Sequence, residues 1–440
     1  MKNTKKKLTG KIKTVNHSFK GSKITRYAGL NPVGKFLNRQ KIYQRFNRVF
    51  PTRFHNATKF SNAQILMAIV LASLSGINRM KRIANFTYDP LVQTLLSLST
   101  AINENAISKA LKQLGQTGAR KLQNFILSYN AQQLKKSGLR SITLDADSTV
   151  SIAYGHQEGA EKGYNPIKKG ANSYHPLLIF VSELKLLFHT WFRTGSAYTS
   201  NGITEFLKEV HAHLPKTVKH VFFRADSGFF SGELFDLLED YGWTYLVKVK
   251  LKGLIPSLKN KPWKPVKGKS NVWICEFSYT TKSWNGKTRK LKAIRTIEKY
   301  VEVYFFGRKH YLPIYQYACY ISNDESKNAL ELHELYTRRS TSETWIEEVK
   351  TQLKAGKTLT QDFWANDILW QLNSFAYNLS VLMRWRHSLF RRQEHKTFRD
   401  WFILVPGKMV RSGRKVEIKM YKNYYYKGNW LELASLLATA

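Results

Sequence analysis

Around residue 140 the spacing of apolar side chains changes period. In RSITLDADSTVSIAY, residues 140–154, Ile142, Leu144 and Ala146 alternate with Thr143, Asp145 and Asp147. A period of two belongs to a strand with one buried face. Upstream, from about Ser61 to Lys136, the period is helical: SNAQILMAIVLAS opens on a serine cap, and NENAISKALKQLG sets Ile107, Ala110, Leu111 and Leu114 on one face before Gly115. The segment LLIFVSELKLLFHTWF reads as two further strands. A helix (202–214), a strand (VKHVFFRAD), a helix (232–241) and a strand (TYLVKV) follow. Helices followed by a meander and then alternating helix and strand confine the chain to the mixed α/β class. Three meander strands followed by this alternation is the order of a ribonuclease-H-like sheet.

Six segments follow from the pattern. Residues 1–60 form a basic N-terminal arm, and 61–137 a helical DNA-binding domain. Residues 138–249 hold the first part of the core. Residues 250–325, Lys-rich and strand-like, read as an inserted β domain. Residues 326–395 hold the second part of the core, and 396–440 a C-terminal hairpin and helix. Within 61–137 the short helices resemble a helix-turn-helix with Asn103–Leu114 as recognition helix, although an ordinary helical bundle has the same period.

Charge narrows the partner. Seventy-one Lys and Arg against thirty Asp and Glu leave +41, a self-repelling excess that calls for a polyanion. No acidic residue precedes Asp89, and such an acid-free basic stretch suits phosphate contacts. The longest apolar run, Gln64–Gly76, is too short to span a bilayer, so no membrane partner is expected. Two cysteines, Cys275 and Cys319, supply neither a disulfide framework nor a zinc cluster, and a reducing cytoplasm is the expected home. No P-loop or dinucleotide fingerprint is present.

Three acidic residues stand where chemistry could use them. Asp147 ends the first core strand, Asp226 ends the fourth, and Glu343 begins the helix after the insertion. Converging carboxylates repel one another and are tolerable around hard cations such as a Mg²⁺ pair. Such a pair activates a water or a DNA 3′-hydroxyl for in-line displacement at phosphorus. Each also has a plain structural role open to it. Asp226 could open a turn with Ser227 and Gly228. Asp147 shares its exposed strand face with Asp145, and Ser340-Thr341-Ser342-Glu343 fits a capping box.

The stretch LYTRRSTSETWIEEVK places Tyr336, Arg339, Glu343 and Lys350 in the spacing Y-(2)-R-(3)-E-(6)-K. This pattern resembles that of bacterial insertion-sequence transposases with a DDE site, in the branch named for insertion sequence 4 and its 1380-type group. DADST, GYNPIKKG with SYHPLL, RADSGF, AYNLSVLMR and KTFRDWFILVPGKMV resemble the same group in the same order, over roughly residues 60–420. The resemblance implies a ribonuclease-H-like core with a β-rich insertion, in which Asp147, Asp226 and Glu343 are catalytic and hold two Mg²⁺ ions, Mn²⁺ being a substitute. It implies that Tyr336, Arg339 and Lys350 hold phosphates of the DNA end, and that the basic loop with Lys168 and Lys169 joins them. Trp284, at the WNGK turn, is the candidate for stacking on a flipped base, a role that requires an exposed ring; Trp273 reads as core. The implied partners are the terminal inverted repeats of a mobile element, target DNA, and a second copy of the chain in a dimer or larger synaptic complex. The implied activity is cut-and-paste DNA transposition. A ribonuclease-H-fold nuclease, or a retired transposase that only binds DNA, are the alternatives.

Overall fold

The computed structural model describes residues 18–52, 59–165, 168–197, 202–284, 286–413 and 415–439. Helix α1 (Asn62–Leu74) begins at a capping box in which the Ser61 hydroxyl accepts from the Gln64 amide and the Gln64 side chain accepts from the Ser61 amide. This reciprocal pairing satisfies two amides that a helix start leaves open. Helix α2 (Glu104–Ser137) is capped by Asn103 and broken at Gly115, whose φ of 50° and ψ of −152° lie outside helical space. Glycine reaches that region without a Cβ penalty. The expected recognition helix, Asn103–Leu114, is therefore the first part of a longer broken helix. Its Ile107, Ala110 and Leu111 face are core, while Lys109 and Lys112 are exposed.

The alternating stretch forms strand β1 (Ser141–Ser148), with Ile142, Leu144 and Ala146 buried. Strands β2 (Leu177–Val181) and β3 (Leu186–Trp191) continue antiparallel from it. Helix α3 (Ile203–His213) leads to β4 (His220–Ala225), and helix α4 (Gly232–Asp240) to β5 (Thr244–Lys248). Strand β4 lies parallel to β1, and β5 parallel to β4. The order across this part of the sheet is β3-β2-β1-β4-β5. All five residues of β2 are buried, as expected of a strand covered on both faces. Leu177, Ile179 and Val181 pack with α3 and α4, whereas Leu178 and Phe180 pack with the helical layer.

The strands expected as an inserted β domain, residues 250–325, are joined by hydrogen bonds to the core sheet. Strands β6 (Val272–Tyr279), β7 (Arg289–Phe305) and β8 (Arg308–Ser322) extend the same sheet, because Tyr320–Ser322 of β8 pair antiparallel with Leu246–Lys248 of β5. With a short edge strand at Lys264–Pro265 the sheet reaches nine strands. Backbone ladder bonds, which the local sequence does not display, decide this.

Helix α5 (Ala329–Thr337) packs its Leu332 with Leu246, Ile294 and Tyr320 of the sheet. The N-terminal helices share one apolar core with α6 (Thr341–Glu347) through Trp345 and Ile346, then with α7 (Phe363–Arg384) and α8 (Lys427–Thr439). The basic arm is partly structured: Ile24–Thr25 pair with Gly407–Lys408, and the helix Leu30–Arg39 packs on α8. Residues 1–17 lie outside the described residues. Helix α7 is buried almost throughout, and its polar side chains find partners: Asn378 bonds the Leu187 amide and carbonyl, and Trp370 Nε1 donates to Thr190. Among the described residues no helix is long and apolar enough to cross a membrane.

One buried ion pair ties three of these segments together. Asp145 faces Arg224 directly in the β1–β4 ladder. Arg224 Nε and Nη2 donate to the two Asp145 oxygens at 2.7 and 2.8 Å, and its Nη1 donates to the Leu335 carbonyl of α5 at 2.7 Å. The Ser182 hydroxyl also donates to Asp145, which is fully buried. Removing one partner of such a pair strands a buried charge. Asp145→Ala should therefore lose about 3–5 kcal/mol in urea unfolding, and Asp145→Leu combined with Arg224→Met should lose much less.

Asp367, on α7, provides a second test. Burial pushes its carboxyl up to about 7 from a model-compound value of 3.8, against the Gln371 hydrogen bond. Between about pH 4 and 7 the folded chain keeps a proton that the unfolded chain has released, so stability falls as pH rises through that window. Asp367→Asn should flatten this fall, whose slope reaches about 1.4 kcal/mol per pH unit, in melts recorded across the range.

Candidate active site

The site grows out of the ends of β1 and β4. Asp147 lies two residues beyond Asp145, hence on the same strand face. Asp226 follows the Ala146–Ala225 ladder pair on the neighbouring strand. Asp226 does open a turn, because its carboxylate accepts from the Gly228 amide at 2.9 Å. One lone pair spent there leaves others free, so turn and ligand roles are compatible.

Glu343 comes from a different direction. Helix α5, a 3₁₀ turn over Arg338–Ser340 and α6 run on without an interruption. Ser340 is itself helical and its hydroxyl donates to the Thr337 carbonyl, so no capping box forms with Glu343. A box needs an open helix start, and this one is continuous. Glu343 is exposed, and its side chain makes no hydrogen bond or ion pair to another described residue. Trp345, Ile346, Val349 and Leu353 lie buried on another side and hold the helix down.

The three carboxylates sense one another. Burial pushes the Asp147 carboxyl up to about 6; Arg339 opposes the shift, while Asp226 and Glu343 add to it by repulsion. Arg339, itself buried, holds Asp147 Oδ2 through Nη2 at 2.7 Å. Its guanidinium lies 5.9 Å from the Tyr336 ring centroid. Tyr336, Arg339 and Glu343 line one groove of about 450 Å³, whose opposite wall is made by Ile294 and Thr296 of β7 with Gln316 and Ala318 of β8. Glu343 thus lines the groove together with the guanidinium that holds Asp147, while Asp147 and Asp226 are not in the groove lining.

The donor set has the chemistry of a hard-cation site, three carboxylates with oxygen ligands only. In this conformation, among the described residues, no three His, Cys, Asp or Glu side chains stand close enough to hold an ion. Asp147 is engaged by Arg339 instead, and the residues fit a cation only once that contact is exchanged.

Other expected residues fall outside the groove. After Glu347 the helix passes into a π-helical turn, Glu348–Gln352, which offsets the residues that follow from the α-helical face of Glu343. Lys350 lies in that turn, half-buried, its amine lowered by burial, and does not line the groove. Lys168 and Lys169 are exposed on the loop before β2 and are not part of the groove lining. Trp284 is 3% exposed, packed among Phe230, Phe235 and Tyr279 with Arg289 over its ring. Trp284 packs back onto α4 through Phe235, so this ring offers no free face to a base. Trp273, expected in the core, is only partly buried and lies beside Arg295 and Tyr315.

Three groove or site residues escaped the sequence reading. Lys248 ends β5 and sits 5.7 Å from the Tyr336 ring centroid. Tyr320 packs against Tyr336 at 5.2 Å and accepts or donates a 2.7 Å bond with His333. His175, within the SYHPLL motif, is buried near enough to Asp226 to feel its charge, although burial still lowers its pKa. The position of Lys248 after the buried Val247 was a readable signal, but which strand lies next to β5 was not.

With this geometry in hand, comparison with known proteins is informative. Several solved structures are distantly similar, among them two transposase complexes. A piggyBac transposase synaptic complex with hairpin DNA aligns at TM-score 0.44 and 14% identity over 85% of this chain and 79% of that one. A Mos1 transposase paired-end complex with left transposon end aligns at TM-score 0.18 and 11% identity over 47% and 66%. No curated protein matches the chain by sequence. Residues 7–440 match the family described as transposase DDE domain, group 1, and the chain belongs to that family.

Proposed function

We propose that the chain cuts DNA at the terminal inverted repeats of a mobile element and joins the freed 3′-hydroxyl ends to target DNA, within the insertion sequence 4 branch. The observation that carries this reading is the approach of Asp226 and Glu343, from two other segments, near enough for their charges to act on Asp147, which Arg339 holds while it lines the groove with Glu343. The β3-β2-β1-β4-β5 order, antiparallel then parallel, supports a ribonuclease-H-like core.

Asp147, Asp226 and Glu343 would hold two Mg²⁺ ions, with Mn²⁺ a substitute. Bound there, the ions would activate the attacking oxygen and stabilise the leaving one. Arg339 already grips a carboxylate oxygen, and a guanidinium that fits carboxylate also fits phosphate. Its release from Asp147 onto a DNA phosphate would free that carboxylate for the cation. Tyr336 and Lys248 flank the same phosphate position, and burial excludes water around Asp147. Lys350, Lys168 and Lys169 are proposed as contacts for DNA beyond the groove. Two element ends must be cut together, which favours a dimer or larger synaptic complex.

Cleavage of a duplex carrying the element end tests the reading. Asp147→Asn, Asp226→Asn and Glu343→Gln should each abolish cutting while end affinity stays within a few-fold. A variant that cuts at the wild-type rate removes its residue from the metal site. Because Glu343 caps nothing, Glu343→Ala should also melt at the wild-type temperature. Arg339→Ala and Arg339→Lys should both weaken end binding, by about ten- to a hundredfold for the loss of charge-assisted bonds, in fluorescence anisotropy; unchanged affinity would exclude the phosphate role.

A further inference from the structure

Strands β7 and β8 do more than wall the groove. Strand β6 pairs with β7 only up to Thr296, and β5 pairs with β8 only from Tyr320 onward. Between these limits the two strands continue as a lone ladder from Lys299–Ile314 to Phe305–Arg308. A ribbon of this length projects about 20 Å, with both edges unpaired.

Its two faces differ in charge. Gln316 and Ala318 line the groove, and by strand alternation Ile314, Leu312, His310 and Arg308 continue their face. The bulge between Ile297 and Lys299 shifts β7 by one residue, which brings Lys299 and Phe305 onto this same face. This groove-side face carries Lys299, Arg308 and His310 and no acid. The reverse face holds the only acid of the ladder, Glu302, bonded to Lys309 and Tyr304.

The tip is strained to show an aromatic ring. Phe306 and Gly307 have φ of 49° and 74°, the left-handed pair of a two-residue hairpin turn that ordinarily takes Asn-Gly. A bulky residue there costs about 1–2 kcal/mol, and Phe306 gains no packing for it, being fully exposed. Phe305 beside it is half exposed. An unpacked aromatic in a disfavoured conformation points to a partner outside the chain.

We propose that this ribbon is a second DNA-holding element. It lays Lys299 and Arg308 along the duplex as it leaves the active-site groove and sets Phe305 and Phe306 against the bases. A two-stranded ribbon fits the major groove of a duplex, and aromatic wedges at base steps bend DNA toward the protein. The inference rests on DNA being the ligand of the groove.

The test uses the full-length chain, random-sequence duplex DNA and three variants. Lys299→Glu with Arg308→Glu should lower affinity at least tenfold and reduce the slope of log K against log salt by about two. Phe306→Asn should raise the melting temperature by relieving the turn, yet weaken DNA binding with little change in slope. Phe305→Ala should weaken binding without stabilising. Wild-type affinity in the charge variant, or a stabilised Phe306→Asn with full affinity, overturns the proposal. So does a shift in monomer–dimer distribution by light scattering at unchanged DNA binding, which makes the ribbon a contact between copies. A wild-type chain that binds no duplex at all sinks the transposase reading itself.

Discussion

The Asp145–Arg224 pair is the interaction on which the site depends. It joins neighbouring parallel strands two residues before Asp147 and Asp226, and its third bond reaches the carbonyl just ahead of Tyr336. One guanidinium therefore sets the mutual position of all three segments that deliver carboxylates. Buried ion pairs add little net stability over well-packed apolar residues. Their directionality explains the choice here: apolar side chains could slide in register, while a bidentate fork with a third donor accepts one arrangement.

Electrostatics in the site work against the chain's own balance. A protein with a large cationic excess sets Asp226 and Glu343 near enough to Asp147 for their charges to act on it, and largely buries Asp147. The unliganded chain offsets that repulsion with Arg339. On the proposed reading the same guanidinium holds Asp147 until a cation takes its place, and then clamps the phosphate that arrives with it.

Much of this was legible from residue order. The change of period at residue 140 located β1, and alternation separated the core face of Ile142, Leu144 and Ala146 from the polar face of Asp145 and Asp147. Alternation could not choose between those two aspartates; the partner across the ladder distinguishes them, and Arg224 lies far away in sequence. The capping box at Ser340 was a sound local inference that lost to context, because the preceding helix continues through it. The insertion read as separate because its strands are polar and Lys-rich, yet three residues at the end of β8 tie it to the core sheet. Trp284 illustrates the same limit. A tryptophan at a turn reads as exposed, and only its packing back onto α4 through Phe235 buries it.

Glu343 reaches the site from beyond the β6–β8 excursion, long after both aspartates in the order of synthesis. A chain that stops before Glu343 also lacks α7, the helix buried at the centre of the helical layer. On the proposed reading, the last carboxylate and the last core helix therefore arrive together, so the site is complete only when the fold is.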